Sequence, residues 1–385
     1  MQSAIPNPEL RQNRVLDWLK SNTALVVVFL ILLAFPFIVA LLDGQSFSAV
    51  LANETGNAKF LQGLMIEVFI LAVYAVSYDL ILGITGMLSF GHAMFFAVGA
   101  YVTGIALKNL GLGIVPTIGL VMVAGVLQAL LFAVVLPRVK GVTFALVTLG
   151  IASVFFIVIQ TNELKDLTGA DVGLQGVISP AFLDTNKERF TLYIISLFFA
   201  LFVYLVYRRF VDSPTGRVCI AIRENEDRAL MLGYNTFTFK LVVLILSSIT
   251  AALAGGLHTI HQPIVSPNIA GLAFTVAALL IILIGGIGTL TGAYVGAAVF
   301  RLLQFYLDKW FGEISSFLIG LIYVLLVLFI PYGIVGTWRV HSFRVKQGRQ
   351  YLARLLSGGL YESEAEVEEE EPEDTLSSDT KEEPD

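Results

Sequence analysis

Apolar runs recur along almost the whole chain, at 24–42, 61–83, 88–107, 114–136, 142–160, 190–207, 240–260, 271–286, 291–308 and 314–331. Each is close to the ~20 residues that an α-helix needs to cross a ~30 Å hydrocarbon layer. The pattern predicts an all-α polytopic membrane protein with ten transmembrane helices. The first run is 19 residues, longer than the ~7–15-residue core of a signal peptide, and no small-residue cleavage site follows it. It therefore reads as a retained helix.

Polar positions orient these runs. Lys and Arg collect in the N-terminal segment, the Arg138/Lys140 turn, the stretch from Arg208 to Arg228 and the stretch from Arg339 to Arg354. With ten helices, all four fall on one side. The opposite connections, 43–60, 161–189 and 309–313, are neutral or acidic, so the positive-inside rule places both termini in the cytoplasm, N-in and C-in. Four regions follow. Residues 1–23 are a cytoplasmic N-terminal segment and 24–337 the transmembrane domain. Residues 338–356 form a basic interfacial segment, and 357–385 an acidic disordered tail.

The spans are rich in glycine, as expected where helices approach closely or break inside a protein-lined interior. Leu82-Gly83-Ile84-Thr85-Gly86-Met87-Leu88 echoes Ile284-Gly285-Gly286-Ile287-Gly288-Thr289-Leu290, each predicted as a tight turn between two spans. Such breaks suit a transporter, whose substrate is screened by broken helix ends and polar side chains. Candidates for a translocation path are Ser89, Gly91, His92, Gly285, Gly286 and Gly288, with Ser247, Ser248, Thr250 and Thr275 nearby. His92 can hydrogen-bond freed backbone groups or face a polar path.

Composition sharpens the class. Hydrophobic residues make up 56% of the 385 and charged residues 14%, which excludes an ordinary soluble domain. The mean hydropathy is +0.81. The net charge of −6 averages two unlike parts. Of 30 acidic and 24 basic residues, 13 acidic residues and only Lys381 lie in 361–385, leaving 17 acidic and 23 basic in 1–360. A like-charged, apolar-poor tail cannot bury enough surface to fold. The basic, amphipathic stretch before it, with Trp338, Phe343, Tyr351 and Leu352 beside Arg339, Arg344, Lys346 and Arg349, suits an anionic lipid surface. Cys219 is the sole cysteine, so neither an intrachain disulfide nor a cysteine-rich metal site can form. Nothing in this balance calls for nucleic acid.

Charge inside the spans is scarce. Glu67 and Arg301 lie about six residues from the outer ends of spans two and nine, ~9 Å deep at ~1.5 Å per residue. Equal depth predicts an intramembrane ion pair that fixes packing, with a proton or substrate role as the alternative. Asp79, near the cytoplasmic end of span two, is assigned only solvation or helix–helix bonding. His258 and His261 share a helical face but lack a third ligand, so no metal site is expected.

The polar segment 212–234 is punctuated as two short helices. Ser213 is an N-cap followed by Pro214, and Arg223 suits a helix C-terminus. Asn225 caps a second turn that begins with Glu226 and Asp227, and Gly233 supplies a left-handed stop. No G-x-x-x-x-G-K-[ST] is present, so the energy for transport comes from a partner or a gradient.

The string SPTGRVCIAIRENEDRALMLGYN (213–235) resembles the cytoplasmic loop of the branched-chain amino acid ABC transporter permeases, the LivM family. Two further segments are similar to the same family. One is Leu82 to Tyr101, with its G-x-x-G-x-x-S-x-G-H-A pattern. The other is Ser266-Pro267 followed by Ile284 to Gly292. The resemblance covers about 61–337. Thr168-Gly169-Ala170-Asp171-Val172-Gly173-Leu174 departs from the family's T-G-G pattern at Ala170.

The resemblance implies an ABC importer permease fold and a transport subunit, not an enzyme, in the bacterial cytoplasmic (inner) membrane. It implies branched-chain amino acids moved by alternating access. Partners would be a second related permease, two ABC ATPase subunits and an extracytoplasmic solute-binding protein. ATP and Mg would be used by those ATPases, and no cofactor is bound by this chain. The docking surface for the ATPases would be the 212–234 loop, with Arg217, Arg223, Glu224, Asn225, Glu226, Arg228 and Gly233. Urea or short amides are the rival cargo, and a gradient-driven secondary transporter the rival class.

Overall fold

The computed structural model describes residues 22–46, 56–185, 187–330 and 332–338. Most of the N-terminal segment, the basic segment after Trp338 and the acidic tail lie outside the described residues. Two compact units are distinguished. Met1–Gly336 holds every element below, and of Thr337–Asp385 only Thr337 and Trp338 are described.

Among the described residues the fold is carried by α1 (Thr23–Leu42), α2 (Asn57–Asp79), α3 (His92–Lys108), α4 (Ile114–Ala133), α5 (Gly141–Ile159), α6 (Arg189–Val211), α7 (Pro214–Glu224), α8 (Glu226–Met231), α9 (Thr236–His261), α10 (Leu272–Gly285), α11 (Thr291–Phe311) and α12 (Ser315–Phe329). Two-residue strands β1 (Leu174–Gln175) and β2 (Ile264–Val265) pair antiparallel, Leu174 opposite Val265. Six helices among the described residues are long and apolar enough to cross a membrane: α1, α2 with its extension to Ile84, α4, α5, α6 and α9. Helices α3 and α10 are shorter, at 17 and 14 residues. Helix α11 has the length but carries Arg301, Asp308 and Lys309.

Apolar side chains in such helices have two destinations, lipid or neighbouring helices, and burial separates them. Helix α2 lies at the centre, 83% of its most apolar stretch buried, against α6, α9, α10 and α11. Helices α1, α4 and α5 lie at the rim, with only 11%, 28% and 28% buried, and expose Leu30, Ile31, Val123, Leu127, Val154 and Ile157. Lipid is as apolar as these side chains, so their exposure costs nothing there.

Small residues let the central helices meet. Where α3 crosses α9, a Cβ on Gly99 would collide with the Ala252 backbone, and one on Gly255 with the Phe96 carbonyl. Hydroxyls satisfy the interior: Thr259 Oγ1 donates to the Ala100 carbonyl at 3.1 Å, Ser247 Oγ to the Ser77 carbonyl at 2.6 Å and Ser248 Oγ to the Gly125 carbonyl at 2.8 Å.

Hydrogen bonds sort the connections into two ends. At one end, Lys108 Nζ reaches the Gln175 carbonyl at 2.7 Å and Arg189 Nη1 the Lys59 carbonyl at 3.1 Å, beside the β1–β2 pair. Ala170 there has a φ of 49°, a left-handed position held without the conformational freedom of glycine. At the other end, Arg208 bonds Asn22, and Lys140 Nζ bonds Asp227 Oδ1 at 3.2 Å. This second end carries α7 and α8.

Candidate functional site

Two caps shape the α7–α8 knuckle. Ser213 Oγ accepts from the Gly216 N–H at 3.2 Å and Asn225 Oδ1 from the Arg228 N–H at 2.9 Å, supplying acceptors that helix N-termini otherwise lack. Gly233 ends the turn at φ +87°. Cys219 and Ile222 bury one face of α7, while Arg217, Glu224 and Arg228 are exposed. Burial pushes the Cys219 thiol up to about 11, so it is neutral at ordinary pH.

Glu226 faces inward and fastens the knuckle to α9. Its Oε1 accepts from Lys240 Nζ at 2.5 Å and from Thr236 Oγ1 at 3.1 Å. Burial raises this carboxyl, but the hydrogen bond and charge of Lys240, the Thr236 hydroxyl and the Lys140 charge together outweigh burial and lower it. A carboxyl lowered on folding stabilises above its ordinary value of 4.5, and that stability is lost as pH falls through the lower native value. The expected result is a wild type with a higher thermal midpoint than Glu226→Gln at neutral pH, the gap closing below about pH 4.5. Melting both proteins from pH 3 to 7 checks it, and a gap independent of pH would contradict it.

Apolar side chains follow the charged ones. Leu230, Met231, Leu232 and Tyr234 are 46%, 87%, 72% and 43% exposed, directly after the exposed charges of Asp227 and Arg228. Contiguous exposed apolar surface on a polar segment marks a place where a partner sits. The docking residues expected from the sequence, Arg217, Arg223, Glu224, Asn225, Glu226, Arg228 and Gly233, include none of these apolar side chains. The adjacency of Leu230, Met231 and Leu232 at a helix terminus was the available signal.

Beneath α7 the two echoing glycine turns meet. Helix α2 continues through a π-helical turn, Leu80–Ile84, whose Gly83 carbonyl accepts from Arg223 Nη1. Asp79 is fully buried, with Oδ1 accepting from the Gly288 N–H at 2.6 Å and Oδ2 from the Leu290 N–H at 3.3 Å. Of the two expectations for Asp79, burial excludes solvation and bonding between helices holds: the carboxylate caps backbone N–H groups of the α10–α11 turn. A Cβ on Gly83 would meet the Gly288 nitrogen at 2.6 Å, and one on Gly288 would meet Arg223 Nη1 and the Gly83 carbonyl at 3.0 Å. Gly86 and Gly288, aligned in the echo, share left-handed φ values of +76° and +73°.

Leu290 is the strained member of this node. Its φ of 49° and ψ of −57°, with the Thr291 N–H reaching the Thr289 carbonyl at 2.5 Å, make a γ-turn of the rare positive-φ kind. Such a conformation costs on the order of 1–3 kcal/mol and persists only where its surroundings hold it. The Asp79 carboxylate on the Leu290 N–H is one such hold. Beside the node a recess of about 220 Å³, lined by Thr85, Gly86, Lys140, Phe144, Arg223 and Lys240, separates part of the knuckle from the helices below.

The other candidates lie elsewhere. Ser89 and His92 are fully buried, and Gly91 is packed closely against Thr148. Ser89 Oγ accepts from the Gly91 N–H at 3.3 Å, and His92 Nε2 pairs with Ser77 Oγ at 2.9 Å while its ring stacks on Tyr74. Helix α3 thus starts inside the bundle, and its Ala93 N–H is capped by Thr275 Oγ1 at 2.9 Å. Gly285 packs against Gly292, and Gly286 against Gly333.

At the opposite end, Glu67 Oε2 accepts from Arg301 Nε at 2.5 Å, tying α2 to α11. Its Oε1 accepts from Gln262 Nε2 at 2.8 Å and faces His261 Nε2 at 3.7 Å. His258 instead packs its ring on Phe96. Among the described residues no group of three metal-ligating side chains is found.

The family described as branched-chain amino acid transport system / permease component matches residues 60–328. Permease protein LivM of the high-affinity branched-chain amino acid transport system of Salmonella typhimurium is 26% identical over 304 residues, covering 72% of this chain and 70% of the relative. Permease protein LivH of the same organism is 28% identical over 289 residues, covering 69% and 91%. A probable LivM of Methanocaldococcus jannaschii is 24% identical over 312 residues, covering 68% and 89%. No solved structure matches.

Proposed function

The chain belongs to the branched-chain amino acid transport permease family, and we propose that it is the pore-forming subunit of an ATP-driven importer of branched-chain amino acids. In this reading the six long apolar helices and the shorter α3, α10, α11 and α12 together form a ten-span membrane domain, with both termini and the α7–α8 knuckle in the cytoplasm. Alternating access moves the substrate past the broken helices around 80–91 and 285–290.

One observation carries this reading most directly: a capped helical knuckle, apolar at its tip and held to the glycine turns by Arg223. A soluble partner that presses on the knuckle thereby acts on the membrane helices. Two ATPase subunits, each using ATP and Mg, would dock there. The likeness of this chain to both LivM and LivH supports a second, related permease chain beside it. An extracytoplasmic solute-binding protein would deliver substrate at the β1–β2 end. The source organisms of the relatives support a bacterial inner membrane. A gradient-driven carrier has no use for such a knuckle.

Uptake of labelled leucine by cells with and without the gene tests the reading. The expected result is loss of an uptake that isoleucine and valine compete and that needs ATP. Unchanged leucine uptake with lost urea or amide uptake would replace the substrate. Uptake that survives ATP depletion would overturn the ATP-driven class.

A further inference from the structure

We propose that Arg223 and Asp79 form a latch that converts displacement of α7 into reorientation of α11. Arg223 is the positioning residue through which the motion enters. The inference rests on the knuckle being the place where a partner pushes, and it adds the route from there into the membrane domain.

The route is contiguous. Arg223 stands at the end of α7 with its Nη1 on the Gly83 carbonyl, inside the π-helical turn that continues α2. The same guanidinium fills the space over Gly288, where a Cβ would meet it at 3.0 Å. Gly288 and Leu290 give their N–H groups to Asp79, which belongs to α2. Leu290 is both the residue before α11 and the centre of the γ-turn. Lifting α7 therefore withdraws the guanidinium from over Gly288, whose N–H holds the buried Asp79 carboxylate, and frees the carbonyl of the π turn. It also loosens the contact that holds Leu290 in a conformation it would otherwise leave.

Two features favour movement at this place. The recess under the knuckle leaves α7 supported by Arg223 and the buried face of Cys219 and Ile222, not by a filled core on every side. The strain sits on one residue, so releasing its surroundings lets Leu290 leave the turn in one step, which suits a switch more than a continuous bend. Helix α11 then carries the change outward. Its 21 residues span ~31 Å at ~1.5 Å per residue, from the node to the other end of the bundle.

Cys219, the chain's single cysteine, lies one turn before Arg223 on the buried face of α7 and reports on the latch. Maleimide labelling of Cys219 is measured in membranes bearing the full chain and its partner subunits, for wild type, Arg223→Gln, Arg223→Lys and Asp79→Asn. Uptake per ATP hydrolysed is measured in the same vesicles. The proposal expects Arg223→Gln to be labelled at least about tenfold faster than wild type without ATP. It expects Arg223→Gln and Asp79→Asn to lose about tenfold in uptake per ATP. Arg223→Lys, which keeps a cationic donor for the Gly83 carbonyl, recovers most of that ratio.

Equal labelling of wild type and Arg223→Gln would overturn the latch. So would uptake and hydrolysis that fall in parallel with the amount of assembled complex, the result of a merely structural role. If Arg223→Gln does not assemble, Asp79→Asn decides through the same ratio, since it leaves the knuckle surface untouched. Wild-type vesicles without ATP-dependent uptake would defeat the importer reading instead, and the labelling comparison would still decide the latch.

Discussion

Changing Met231 and Leu232 together to aspartate is expected to abolish ATP-dependent uptake while leaving the helical body folded. Both side chains are largely exposed, at 87% and 72%, so neither supports the fold from inside. Substitutions at such positions shift stability by about 0.5 kcal/mol or less. Covered by a partner, each would contribute on the order of 1.5–3 kcal/mol of apolar burial. Losing both costs about 3–6 kcal/mol, a factor of at least about a hundred in affinity. Two carboxylates left without partners in the interface add desolvation to that loss. Co-purification of ATPase subunits with the tagged variant, beside uptake and a melting curve, checks it. Normal uptake by the double variant would remove the apolar tip from the docking surface.

The second large effect belongs to the opposite end. Arg301→Ala is expected to lower the stability of the protein by about 1.5–3 kcal/mol, the scale of a hydrogen bond to a charged group, because the pair is partly buried, with Arg301 23% and Glu67 17% exposed. Glu67 keeps Gln262 at 2.8 Å and His261 at 3.7 Å, but neither supplies the fixed charge or the two-nitrogen grip of the guanidinium. Glu67→Ala is expected to be milder. Arg301 retains Gln304 at 3.4 Å, and its long stem can carry the charge outward to water. Glu67→Gln with Arg301→Gln removes both charges and should recover most of the loss. Thermal unfolding of the detergent-purified variants orders them, and an Arg301→Ala protein as stable as wild type would show that the pair is dispensable.

Much of this was legible along the chain because it depends on neighbours in sequence. Helix positions follow from apolar runs, and the helices at 114–133 and 141–159 begin within a residue of the runs that predict them. Ser213, Asn225 and Gly233 cap the knuckle through contacts three residues away or through their own backbone angles. Glu67 and Arg301 could be matched across 234 residues because charge in an apolar span is costly and their depths agree.

Other decisions were made only in three dimensions. Asp79 finds its partners 209 and 211 residues away, and those partners are backbone N–H groups, which every residue but proline carries and no sequence pattern marks. The positive φ of Leu290 contradicts local preference and is held by contacts from α2. For His92, Ser89 and Gly91 the sequence admits both packing and a polar path, and the folded chain buries them against Ser77, Tyr74 and Thr148. Leu64 and Leu127 look alike in the sequence, yet one is buried and the other faces outward. In a membrane the hydrophobic effect does not separate a helix's protein face from its lipid face. Neighbours along the chain therefore specify where apolar helices run, how the knuckle is capped and the family. Close packing and long-range hydrogen bonds decided which glycines touch, which carboxylate caps a distant turn and where the chain holds strain.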